Sequence, residues 1–197
     1  MTGRQWSRMG IPGVFSQTTD SGLPLNESTL ASQLKQAGYA TGACGKWHLG
    51  QRNVYLPAAR GFDAYLGIPF SDDMGEGRAS PCDQPGSGTS GFTRRPGASM
   101  VDAAMRPYVE AGIAPPLSTG EAGDPGGAFL PLVEQRMSED GKVNTTVLEQ
   151  PVDLTNLGPQ YRTFATSFID QHADEPFFLY LPFSHVHTTA ANQPEKQ

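Results

Sequence analysis

Two segments of this chain pair an amphipathic helix with a short apolar strand, and that repeated unit limits the folds open to it more than any other feature. In the first unit Leu30, Ala31, Leu34 and Ala37 recur at helical spacing, with a cap expected near Asn26 or Ser28 and Gly38 as the C′ residue. Tyr39-Ala40-Thr41-Gly42-Ala43-Cys44 follows as a short buried strand. In the second, Asn156 to Gly158 reads as a turn, and Tyr161 to Ala173 as a helix with Tyr161, Phe164, Ala165, Phe168 and Ile169 on one face. Asp174-Glu175-Pro176 stops that helix, and the continuous apolarity of Phe177 to Leu181 predicts a fully buried strand. Lys142 to Leu148 alternates and predicts another strand. Such units predict an α/β sheet with helices packed on both faces. In open sheets of this kind, ligands bind at the carboxyl ends of the strands.

The rest of the chain is loop-rich. Residues 1–22 read as an irregular leader, and residues 75–131 hold 11 glycines and eight prolines, too many for continuous helix or sheet. That stretch is expected to be a long surface excursion, with Met100 to Val109 its one short helix. The whole, residues 1–197, has the length of one domain. A net charge of −6 supplies no basic field for nucleic acid or acidic membranes. No apolar run reaches the roughly 18 residues a membrane span needs. Nothing near Met1 has the form of a signal peptide. Asn26-Glu27-Ser28 and Asn144-Thr145-Thr146, however, have the form of glycosylation sequons. The two cysteines, Cys44 and Cys82, make no disulfide framework, and Cys44 inside an apolar run is a buried small residue.

The chemistry-bearing residues fall just past the two strands. If the first strand continues, Lys46 and His48 point to one face and Trp47 to the other. His185 and His187 repeat this spacing, with Val186 turned away. Four such groups converging from two strand ends would suit a sulfate or phosphate ester, whose oxygens need fixed donors. Spacing alone leaves open a zinc site at His185 and His187, or solvated strand ends. Asp72-Asp73 reads as a solvated acidic loop, since a hard divalent cation needs several oxygen ligands together.

Gly45-Lys46-Trp47-His48-Leu49-Gly50 resembles the second signature of the sulfatases. Thr2-Gly3-Arg4, Arg8-Met9-Gly10 and Pro12-Gly13 are similar to the segment that follows the sulfatase nucleophile motif. Gly22-Leu23-Pro24-Leu25, Ala37-Gly38-Tyr39, Gly61-Phe62-Asp63 and Leu66-Gly67-Ile68-Pro69-Phe70-Ser71 also match, in the style of the arylsulfatase A subfamily. Pro176-Phe177-Phe178-Leu179-Tyr180 with Ser184-His185-Val186-His187 fits the histidine segment of that subfamily. The likeness covers most of the chain and is thin between Gly75 and Pro131.

The resemblance implies part of an alkaline-phosphatase/sulfatase-type sheet and hydrolysis of a sulfate monoester to alcohol and sulfate. It implies that Lys46 and His48 touch the sulfate and the formylglycine oxygens, and that Ser71 lies at the substrate sulfate. His187 would bind sulfate and pass a proton to the leaving alcohol, with His185 orienting the site. The substrate would be a sulfated small molecule, glycan or lipid, and the location lysosomal or secreted. Sulfatases also use calcium and a formylglycine made from the cysteine of Cys-x-Pro-Ser-Arg. That motif should precede Thr2-Gly3-Arg4, and neither Cys44 nor Cys82 is followed by it. The calcium-binding acidic pair and Asp-Asn are also missing, so the expectation is a truncated, inactive segment with no metal ligands of its own. The rivals are a non-catalytic anion-binding or regulatory protein, a phosphatase or phosphodiesterase of the wider group, and a structural fragment with no site.

Overall fold

The computed structural model describes residues 1–11, 13–15, 19–72, 130–138 and 140–186. Five strands form one mixed sheet: β1 Ala40–Cys44, β2 Ala64–Gly67, β3 Leu132–Met137, β4 Val143–Glu149 and β5 Phe177–Tyr180, in the order β4-β3-β2-β1-β5. β1 lies at the centre of the parallel part, with Gly42 opposite Ala64 on β2 and opposite Leu179 on β5. β3 runs antiparallel to β2, and β4 antiparallel to β3.

Helices cover both faces, as the alternation of the strands requires. On one face Cys44, Leu66 and Leu132 pack with Tyr161, Phe164 and Phe168 of helix α2, Leu157–Gln171. On the other, Ala43, Tyr65 and Val133 pack with Trp47, Phe62 and Ala31, the last from helix α1, Leu30–Gln36. Side chains of neighbouring residues on one strand thus enter different cores.

Several sequence expectations need correction. Helix α1 is capped by Thr29, not Asn26 or Ser28: its hydroxyl accepts from the Ser32 amide (3.0 Å) while the Ser32 hydroxyl accepts from the Thr29 amide (2.9 Å). Its Leu30 is exposed, and only Ala31 is fully buried. Helix α2 begins at Leu157, one turn earlier than Tyr161, because Pro159 sits in the first turn where no amide donor is needed. Ile169, read as part of its apolar face, is exposed. Among the described residues β5 is an edge strand rather than a fully buried one, with Phe177 exposed and its other residues half-buried. Asp72 is buried, not solvated, because the segment leading to it is hydrogen-bonded into the sheet end. The Met100–Val109 helix, Cys82, Asp73 and His187 lie outside the described residues.

Candidate functional site

The segment after β1 leaves strand geometry but stays pinned on both sides. Gly45, Trp47 and His48 donate their amides to the carbonyls of Leu66 (2.9 Å), Ile68 (3.0 Å) and Pro69 (3.1 Å), while Lys46 donates to Pro182 (2.8 Å). Gly45 has φ 133° and His48 φ 54°, so the alternation expected of a continued strand is broken. Glycine is required at position 45, where any Cβ would run into the Pro182 carbonyl oxygen. It is required again at Gly67, whose Cβ would strike the Gly45 carbonyl oxygen. Close backbone approach of three segments thus fixes the direction in which Lys46 and His48 leave the chain.

Lys46 and His48 reach different partners, contrary to the expectation of one shared face. The Lys46 ammonium donates to the Ser71 hydroxyl at 3.2 Å, joining the extensions of β1 and β2. Ser71 is almost fully buried at 1% exposure, so this bond lies at the wall of the sheet end rather than in open solvent. The His48 Nε2 lies 2.8 Å from the Phe15 carbonyl oxygen; a carbonyl only accepts, so Nε2 carries the proton. His48 also lines a cavity of about 640 Å³ beside Trp6, Phe15 and Trp47, a cavity that Lys46 and Ser71 do not line. Trp47 is buried, sits edge-on to Phe62 (6.0 Å, 88°) and donates its Nε1 to the Tyr55 carbonyl (2.8 Å).

The second motif behaves otherwise. Ser184–Val186 forms a 3-10 turn, so the His-x-His spacing does not act as strand alternation. His185 meets the Tyr161 ring edge-on at 5.9 Å and lies over Gly158 at the start of α2. Tyr161 and Asp72, which sequence reading did not place at the site, are both buried in the same region. Burial pushes the Tyr161 phenol well above its ordinary range, with the Ser184 hydroxyl opposing this and the nearby Cys44 and Asp72 adding to it. No sequence signal marks Tyr161 for the site, because its spacing is that of any core residue on an amphipathic helix.

Cys44 is free, and burial pushes its thiol up to about 12, so it carries no thiolate near neutral pH. Its sulfur faces the Tyr161 carbonyl oxygen at 3.6 Å. Among the described residues no group of three or more His, Cys, Asp or Glu could hold a metal ion.

Past its parallel strand ends this mixed α/β sheet carries a half-buried lysine bonded to a buried serine, the place where open sheets of this kind bind ligands. The chain belongs to the sulfatase family, whose family model matches residues 1–197. It is 39% identical to human arylsulfatase G over 95% of the chain and 30% of that protein's length. It is 34% identical to human arylsulfatase A over 95% of the chain and 30% of that protein. It is also 32% identical to rat steryl-sulfatase over 99% of the chain and 37% of that protein. The chain thus spans about a third of the length of these relatives. Among solved structures, the PsFucS1 sulfatase from Pseudoalteromonas sp. matches with a TM-score of 0.55 at 22% identity, covering 94% of this chain and 32% of that one. Ps i-CgsB in complex with k-i-k-neocarrahexaose matches with a TM-score of 0.52 at 20% identity, covering 91% and 31%. These two likenesses bear on the fold alone. Among the described residues, no helix is long and apolar enough to cross a membrane.

Proposed function

We propose that the Lys46–Ser71 pair, with His48, is the anion-holding wall of a sulfuric ester hydrolase site. The observation that carries this reading is the 3.2 Å bond joining Lys46 and Ser71 across the ends of two adjacent parallel strands. A lysine fixed there meets the charge on sulfate oxygens without reorganising, and the Ser71 hydroxyl can turn to donate to the same anion. His48 joins this wall by the family pattern; its ring bonds to the Phe15 carbonyl, and with its amide bond this holds it in a left-handed turn beside Lys46. By the family pattern, His187 supplies a further sulfate contact and the proton for the leaving alcohol, and His185 a supporting position beside Tyr161.

The reaction class is hydrolysis of a sulfate monoester carried by a small molecule, glycan or lipid, in a lysosomal or secreted setting. The 197 residues contain no Cys-x-Pro-Ser-Arg, and Cys44 is buried and protonated. Loss of a covalent nucleophile lowers turnover by about a million-fold. Tested by itself, this stretch of 197 residues is accordingly expected to hold anions without turning over a sulfate ester. Incubation with a chromogenic aryl sulfate is expected to release no more sulfate than the Lys46→Ala variant does. Release above that control would overturn the inactive reading.

A further inference from the structure

Tyr65 of β2 carries a hydroxyl into the core, and that hydroxyl meets both segments that bear the anion wall. Its ring, 1% exposed, shares a core cluster with Trp47, Phe62 and Val133. A phenol so placed is costly to leave unpaired. It donates a shared hydrogen bond to the carbonyls of Gly45 (3.2 Å) and Ile68 (3.0 Å). Gly45 immediately precedes Lys46, and Ile68 lies in the segment that leads to Ser71. The Ile68 carbonyl also accepts the Trp47 amide (3.0 Å), so the phenol sits where the extensions of β1 and β2 are joined. Gly67 keeps this space open: a Cβ there would overlap the Gly45 carbonyl oxygen and come within 2.8 Å of the Tyr65 hydroxyl.

The peptide unit between Gly45 and Lys46 is pinned at both ends. Its N–H donates to the Pro182 carbonyl (2.8 Å), and its C=O accepts from Tyr65. Gly45 itself supplies no stiffness, because a residue without a Cβ turns more freely about φ and ψ than any other. The Pro182 bond constrains one end of this planar unit and the phenol the other, which together set the direction in which the Lys46 side chain leaves the chain. We propose that Tyr65 is a positioning residue, whose hydroxyl holds the Gly45–Lys46 peptide unit in the orientation that delivers the Lys46 ammonium to an anion beside Ser71. Tyr65 acts through Lys46 and not on the anion. The proposal rests on the anion-holding reading of Lys46 and Ser71 given above.

Tyr65→Phe removes the hydroxyl and keeps the ring, and NMR titration of the full chain with sodium sulfate, against sodium chloride at equal ionic strength, reads the effect. The substitution is expected to weaken sulfate binding about fivefold, the worth of one net hydrogen bond. A general loosening of the fold would weaken binding in any background, whereas a loss that runs through the lysine vanishes once the lysine is gone. In the Lys46→Ala background Tyr65→Phe should therefore change the affinity by less than about twofold. Para-aminophenylalanine at position 65, which restores an N–H donor, should recover most of the loss. Where urea midpoints show that Tyr65→Phe does not fold, para-methylphenylalanine, which fills the hydroxyl's space without donating, carries the same comparison. Binding by the variant within about twofold of the parent chain overturns the proposal, as does an equal loss in the Lys46→Ala background. Sulfate binding that Lys46→Ala leaves unchanged sinks the anion-wall reading and this proposal together. A loss with Lys46→Ala but none with Tyr65→Phe sinks this proposal alone.

Discussion

The ends of β1 and β5 carry similar sequence, a short apolar run followed by two basic groups spaced two apart, yet they build different structures. After β1, neighbours on both sides accept the amides of residues 45–48, and the chain is held rigidly outside any regular element. After β5, an edge strand, the chain folds into a 3-10 turn and His185 packs on the ring of Tyr161. A polar motif becomes a positioned site when the strand bearing it is central, because central strands have partners on two sides. The same spacing at an edge is governed by the nearest helix.

The comparison breaks first at Gly45. Replacing it with alanine sets a Cβ against the Pro182 carbonyl at a positive φ, and should cost about 3 kcal/mol or more by urea denaturation. A loss under about 1 kcal/mol would mean that the three-way backbone contact does not fix the Lys46 segment. His185→Ala should cost about 1 kcal/mol, the worth of an edge-on ring contact, and weaken sulfate binding less than Lys46→Ala does. A larger effect on sulfate than on stability would place His185 with Lys46 after all. The smallest effect concerns the start of β1. Burial raises the Asp63 pKa, but bonds from Lys35 (2.5 Å) and from the Thr41 hydroxyl and amide (both 2.8 Å) outweigh it and hold the carboxyl below its ordinary range. A depressed folded pKa gives stability that is full above the unfolded value of about 3.9 and is lost as pH falls through the folded value. Asp63 is a third exposed, so Asp63→Asn should flatten this acid slope by under about 1 kcal/mol, read from urea midpoints at low and neutral pH.

Helix α1, strand β1 and the polar hexapeptide were legible because each is written in local spacing. The cap was misplaced because Asn26, Ser28 and Thr29 all suit the role, and only the reciprocal partner Ser32 selects Thr29. β2 is four residues set between Gly61 and Pro69, and β3 turns polar after Leu132 and Val133, so both depend on partners distant in sequence. β5 was read as buried because apolarity reports the covering of its faces and says nothing of which strands flank it. Of the candidate site, the structure joins Lys46 to Ser71 by a direct bond, a pairing between residues 25 apart that no local pattern encodes. His48 departs from the expected face because its left-handed φ is imposed by tertiary contacts that no local pattern encodes.

An NMR titration of the full chain with sodium sulfate, against sodium chloride at equal ionic strength, tests the anion wall most directly. The account predicts saturable shifts centred on the amides of residues 46–48 and 71, with an affinity near 1 mM or weaker, about −4 kcal/mol. Lys46→Ala should lower that affinity about tenfold or more while leaving the fold intact. Shifts that match chloride, or sulfate binding that survives Lys46→Ala undiminished, would contradict it.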